Sequence, residues 1–448
     1  MWTRVLLGAL IAVTLCVRET EAQTAPAPPA PQDQRILQAA EGAWIGTLER
    51  GGARAEFRLN LRVADGQLGG TFDWPDLGYL GADILGARER DGRVRIALPL
   101  PLGSLRMTGV PERNRFTGTL EETTRRANEW VTLPAEGGFT LRRAEAARLP
   151  YRVTPVRFAS GDVQIAGEIY APAGRGRRPA VVFIHGSGDS NRADGAFMAD
   201  QFARAGIVTL VYDKRGVGES TGAWRDGGYE ELAQDARAAL ELLRAREDVD
   251  AERVGYVCRS EGCWVAPIAV SRGGASFLAA ISGPTITVAD EDIDHYRVAL
   301  REAGMSESDM QAAFALLRLR HAVIAGGAAP AELDARVAAV RNDAWFERLN
   351  WEEAEGDAGQ FRARTIGYDP APQLRALGVR SLWLYGTDDT IIPVGDSVER
   401  LLALNIEPRP SIIVLPRADH ALAATQYPRL PGGVASAAQR IADWITGG

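Results

Sequence analysis

Between residues 254 and 268 the chain reads Val-Gly-Tyr-Val-Cys-Arg-Ser-Glu-Gly-Cys-Trp-Val-Ala-Pro-Ile. An apolar strand runs into the turn Cys258-Arg259-Ser260-Glu261-Gly262-Cys263, and an apolar helix starts from it. A serine on such a strained turn projects its hydroxyl above a sheet edge, open to a base on one side and a substrate on the other. The chemistry this allows is nucleophilic attack on a carbonyl carbon. Gly262 lets the helix backbone pass close to the strand, where a larger side chain would collide. Against the usual Gly-x-Ser-x-Gly pattern, Cys258 replaces the first glycine.

A serine nucleophile needs a base that titrates near neutrality, and the chain has four histidines. His185 ends a strand in His185-Gly186-Ser187-Gly188, a turn suited to presenting backbone N–H groups. His295 and His321 fall in a helical stretch, where a solvated surface histidine is the default expectation. His420 follows the last apolar run, in Leu415-Pro416-Arg417-Ala418-Asp419-His420. It therefore sits at the C-terminal end of a strand, where catalytic groups of open α/β sheets gather. His420 is the expected base. A carboxylate must then fix its tautomer and stabilise the imidazolium. The segment Gly386-Thr387-Asp388-Asp389 offers two adjacent aspartates, either of which could instead cap the following helix. The oxyanion formed on attack needs backbone donors: the N–H of Glu261, directly after the serine, and the N–H of Ser187.

These groups must be held by a sheet. From about residue 151 apolar runs of five or six residues alternate with helical patterns, the signature of a mostly parallel sheet with crossover helices. The runs cover 180–184, 207–212, 254–257, 277–281, 381–385 and 411–415, with helices expected over 229–244, 262–270 and 434–445. Residues 284–368 interrupt the pattern with helical spacing around 309–324 and 331–340, a helical cap that would act as a lid and shape substrate choice. Residues 33–146 read differently. Phe57 to Val63 and Arg93 to Leu98 alternate apolar with polar, and turn signals separate them. This predicts a small antiparallel β domain, sandwich or barrel, without a histidine or cysteine to do chemistry.

The chain has 448 residues and a formal charge of -7, which gives no reason to expect nucleic acid or an anionic membrane as partner. Residues 1–22 have a short basic start, an apolar run from Val5 to Val17 and a polar end, the layout of a cleavable secretory signal. Residues 23–32 form a Pro-rich linker. Export would place the protein in the periplasm or outside the cell without a stable membrane anchor. Cleavage would also remove Cys16, leaving Cys258 and Cys263 as the only cysteines, and in an oxidising compartment they could bridge across the turn.

Together these segments resemble the α/β-hydrolase family from about residue 150 to 448. Val181 to Gly188 is similar to the family's oxyanion turn. Tyr212-Asp213-Lys214-Arg215-Gly216-Val217-Gly218-Glu219-Ser220 is similar to a segment of its esterase and peptidase-like branches, in which Asp213 and Arg215 are expected to serve structure as paired charges. The family's Gly-x-x-Asp spacing, with a proline four residues on, fits Gly386, Asp389 and Pro393 and selects Asp389 over Asp388. The order Ser260, Asp389, His420 is the family's order. The N-terminal β domain resembles the lipocalin-like module that precedes some secreted bacterial hydrolases. The resemblance implies an α/β fold and a serine hydrolase acting on small acyl esters. The catalytic residues would be Ser260, Asp389 and His420, the oxyanion donors Ser187 and Glu261, with no metal or organic cofactor required. A peptidase or amidase with the same triad, and a non-catalytic binding protein on the same fold, are the rival readings. Arg259, where histidine is frequent, is expected to pair with an acidic neighbour, the alternative being an anionic substrate.

Overall fold

The computed structural model describes residues 31–447 except 51–52, 65–66, 76–78, 101–102, 127–128, 145–148, 350, 352–356 and 423–432. The expected signal segment and most of the linker lie outside the described residues. Pro31 and Gln32, assigned to the linker from sequence, instead open the helix α1 (Pro31–Ala40), because proline is tolerated in a first helical turn.

Nine strands follow: β1 (Gly42–Arg50), β2 (Ala53–Ala64), β3 (Gln67–Trp74), β4 (Tyr79–Asp83), β5 (Gly86–Arg90), β6 (Arg93–Leu100), β7 (Gly103–Pro111), β8 (Arg115–Arg126) and β9 (Glu129–Arg143). They pair antiparallel in the order β2-β1-β9-β8-β7-β6-β5-β3-β4, and β2 also pairs with β3. That extra pairing closes eight strands into a barrel and leaves β4 as an appendage on β3. The alternation seen in the sequence sets its two faces. Phe57, Leu59, Leu61, Val94, Ile96 and Leu98 are buried inside with Trp44, Phe72 and Phe116.

The second sheet has eight strands: β10 (Tyr151–Ser160), β11 (Val163–Pro172), β12 (Arg178–Ile184), β13 (Val208–Tyr212), β14 (Val249–Arg259), β15 (Phe277–Ile281), β16 (Arg380–Gly386) and β17 (Ser411–Leu415). Their order is β10-β11-β13-β12-β14-β15-β16-β17. From β13 to β17 neighbours run parallel, and their central strands are apolar on both faces, as a sheet covered by helices on each side requires. The hairpin β10–β11 was not among the expected runs. It pairs antiparallel at the edge, where the single-face burial of β10 weakens the apolar signal.

Helices α2 (Ala193–Arg204) and α11 (Gly433–Thr446) cover one face. Phe197, Phe202, Ile441 and Ile445 pack there against Val181, Phe183, Val257 and Leu384. Helices α3 (Tyr229–Arg244) and α4 (Gly262–Ser271) pack against β12 and β14 from the other side. The helix α2 carries no motif and was not anticipated.

A separate unit comprises residues 224–228 and 288–368. It contains α5 (Val288–Glu302), α6 (Glu307–Ile324), α7 (Pro330–Val340) and α8 (Asp357–Thr365), built on a core of Ile293, Leu300, Phe314, Leu317, Val340 and Trp345. The remaining helices, α9 (Ala371–Arg375) and α10 (Val394–Ala403), flank β16 in sequence.

Candidate active site

The sheet order has one switch, because β12 lies between β13 and β14 and the chain crosses back over it. A crevice forms outside the carboxyl ends of strands at such a point. The turn after β12 carries His185, Gly186 and Ser187, and the turn after β14 carries Ser260. Adjacent strand ends therefore bring the two segments together: a Cβ added to Gly186 would lie 3.4 Å from Ser260 Cβ.

Ser260 adopts φ +52°, a left-handed conformation costly for a residue with a side chain. The strain is held by flanking backbone bonds: Ser260 N–H donates to Ile281 O at 3.0 Å, and Cys263 N–H donates to Ser260 O at 2.8 Å. Gly262 is where a Cβ cannot fit, since one would stand 2.6 Å from both the Ile184 and His185 carbonyl oxygens. Cys258 and Cys263 are bridged, their Cα atoms 5.1 Å apart, so a covalent strap spans the turn that carries Ser260. Gly283 makes room for it, because a Cβ there would approach Cys263 Sγ to 2.8 Å. Neither Ser187 N–H nor Glu261 N–H donates to another described residue. Both remain available to an oxyanion.

At the ends of β16 and β17, Asp389 Oδ2 lies 2.9 Å from His420 Nδ1. The other carboxylate oxygen of Asp389 accepts from Ile391 N–H at 2.9 Å and Ile392 N–H at 3.1 Å, and its side chain is fully buried. One oxygen of Asp389 thus orders the turn before α10 and the other meets His420, but Asp389 does not cap that helix, whose N-cap position is Pro393 and carries no side-chain cap. Ser260 and His420 are not hydrogen-bonded to one another in this structure. Such bonds are often long until a substrate is seated.

The other histidines separate by environment. His185 is buried with neither ring nitrogen hydrogen-bonded. Burial first, and then the charge of Lys214, hold it well below the usual histidine range, so it is neutral. His295 is exposed. His321 departs from the expected solvated histidine: it is buried on α6, and its Nε2 lies 2.8 Å from Asp292 of α5. Arg320 and Arg362 close on the same carboxylate, and this ionic cluster supplies the partners that allow the burial.

The paired charges expected of Asp213 and Arg215 are not paired with each other. Asp213 accepts from Arg192 at 2.6 Å and Arg215 donates to Asp235 at 2.7 Å, partners just before α2 and on α3 that no local spacing reveals. Arg259 also departs from expectation. It is half-buried and, among the described residues, in no ion pair. Its charge is felt by Tyr79 of β4, whose hydroxyl burial otherwise raises, and by His185.

The alpha/beta hydrolase family profile matches residues 181–430, more than half of the chain, including the turns that carry Ser187, Ser260, Asp389 and His420. The chain belongs to this family. The chain is similar to an uncharacterised protein of Mycobacterium tuberculosis, with 31% identity over 182 residues that cover 40% of this chain and 63% of that protein. It is also similar to the esterase EstD of Thermotoga maritima, 31% identical over 169 residues covering 34% of this chain and 40% of the esterase. The chain spans less than two thirds of the length of either relative. Among solved structures, an esterase of Pyrococcus furiosus overlaps 66% of this chain and 91% of its own, with 16% identity and a TM-score of 0.43.

Proposed function

We propose that this α/β hydrolase is an exported serine esterase. Ser260 attacks the ester carbonyl while His420 takes its proton, and Asp389 stabilises the imidazolium. The N–H groups of Ser187 and Glu261 hold the oxyanion. His420 returns the proton to the departing alcohol, leaving an acyl group on Ser260. Water, deprotonated by His420, then releases the acid and restores the serine. The observation that carries the reading is Ser260 at φ +52° in the turn after β14, beside the switch point, with an ordered Asp389–His420 pair at the ends of two later strands of the same sheet. The similarity to an esterase favours esters over amides.

The test is labelling of the purified protein by a fluorophosphonate, with Ser260→Ala as control, followed by parallel 4-nitrophenyl ester and aminoacyl-nitroanilide panels. Labelling lost in Ser260→Ala with turnover of the esters supports the proposal. Turnover of nitroanilides alone makes it an amidase, and a folded wild type that takes no label makes it a binding protein.

A further inference from the structure

Lys214 sits directly behind the expected oxyanion donors. It follows β13 by two residues and is almost completely buried, with 1% of its surface exposed. Its Nζ donates to the Gly186 carbonyl at 2.8 Å and to Glu261 Oε1 at 3.1 Å. Those two acceptors belong to the two oxyanion segments. The Gly186 carbonyl is the other end of the peptide unit whose N–H is that of Ser187. Glu261 is the residue whose own N–H is the second donor.

A cation hydrogen-bonded to a peptide oxygen draws electron density toward it and leaves the N–H of the same peptide more positive. At Gly186 the second donor, Ser190 Oγ, is neutral and longer, at 3.4 Å. The carboxylate of Glu261 offsets the lysine's charge at longer range, so the short bond to Gly186 is what transmits its effect. Stability alone does not explain the arrangement. Desolvating a lysine is costly, and buried ion pairs are often replaceable by apolar residues without loss.

We infer that Lys214 is a positioning residue for the reaction proposed above, one that polarises the Gly186–Ser187 peptide toward the oxyanion and fixes Glu261 beside it. It touches neither substrate nor reacting atoms and acts through the two backbone donors. An interaction of this kind strengthens only as charge develops on the substrate oxygen, so its loss falls on kcat rather than KM.

The test compares Lys214→Met with the double variant Lys214→Met/Glu261→Met, which removes both members of the buried Lys214–Glu261 pair and is the variant expected to fold. Active-site concentration is set by fluorophosphonate titration, and turnover of 4-nitrophenyl acetate is measured per titrated site. Outright loss of one oxyanion donor lowers kcat by roughly 10²–10³. Weakening one is expected to lower it about tenfold in both variants, with KM within about twofold, and to raise Ki for a trifluoromethyl ketone by about the same tenfold. Wild-type kcat per site in the double variant would overturn the inference, because Lys214 would then only neutralise Glu261. A fall in KM-determined binding with kcat unchanged would overturn it too. Failure of the wild type to take the fluorophosphonate would instead overturn the serine-hydrolase reading, so the two failures are distinct.

Discussion

Asp389 Oδ2 stands 2.9 Å from His420 Nδ1, whereas the adjacent Asp388 turns outward to Thr387 Oγ1 at 3.0 Å. The difference arises because Asp389 is pinned through its other oxygen by two backbone N–H groups of the following turn. Neutralising each aspartate should therefore give unequal results. Asp389→Asn is expected to lower kcat on an ester by roughly 10³–10⁴, because an amide stabilises the wrong histidine tautomer and no imidazolium. Asp388→Asn should stay within about threefold, as a surface substitution. Steady-state kinetics of the pair decide it, and equal losses would remove Asp389 from its proposed role.

The His420 loop lies across the end of β16. Thr387 N–H donates to Leu415 O at 3.0 Å, Asp388 N–H donates to Ala418 O at 2.9 Å, and Arg417 N–H donates to Thr387 Oγ1 at 2.7 Å. Gly386 permits this closeness: a Cβ there would stand 2.1 Å from Ala418 O. Gly386→Ala should force the two loops apart, at a cost of about 1–3 kcal/mol in stability. A shift of His420 by about 1 Å is expected to lower kcat about 10²-fold. Thermal melting and kcat measured together check this, and a fully active variant would show that the loop packing does not set the histidine's position.

Much of this architecture was readable because it follows backbone rules. Helix α3 and strands β15 and β17 coincide with the apolar and helical runs, and the two site turns occupy the strand ends where their glycines imply tight backbone. Asp389 was separable from Asp388 only by the family's spacing, since nothing in composition says which carboxylate a distant loop will meet. What escaped the sequence is long-range pairing. Arg192 meets Asp213, Arg215 meets Asp235 and His321 meets Asp292 across separations that carry no local signal. Lys214 lies inside the Tyr212–Ser220 segment, but its importance depends on burial against Gly186 and Glu261, which only the fold supplies.

The strap between Cys258 and Cys263 closes a loop with a sequence separation of 5, so the chain-entropy account gives it about 2 kcal/mol of stabilisation. Cys258→Ala/Cys263→Ala should melt lower by a corresponding amount, and peptide mapping of the unreduced wild type should recover the two cysteines as one linked fragment. Free thiols at both positions in protein purified without reductant would contradict the bridge.

Arg259 is a half-buried cation one residue from Ser260 and, among the described residues, in no ion pair. An anionic group on the acyl chain would supply its missing partner, a charge-assisted contact worth about 1.4 kcal/mol or tenfold in kcat/KM. Arg259→Met is expected to lower kcat/KM about tenfold for a hemisuccinate ester and to leave the neutral butyrate ester within about twofold. A uniform change on both esters would assign Arg259 to shaping the turn instead.

The Arg192–Asp213 pair predicts how stability depends on pH. Asp213 is desolvated, which raises its pKa, but hydrogen bonds from the Arg192 side chain and backbone and from Glu219 N–H outweigh burial and hold it below the usual carboxylate range. A depressed folded-state value means that ionised Asp213 stabilises the fold above the unfolded carboxylate pKa of about 3.9, and that this contribution is lost as pH falls through the folded-state value. The side chains are 18% and 3% exposed, so solvent screens the pair little. Arg192→Met leaves a buried carboxylate without its cation, a change that costs about 3–5 kcal/mol at pH 7. Protonation relieves the orphaned group, so the gap between variant and wild type should narrow as the medium is made acidic. Urea denaturation at a series of pH values from about 3 to 7 measures this directly. A deficit that stays constant across the series would mean that Arg192 stabilises α2 by packing rather than by holding Asp213 ionised.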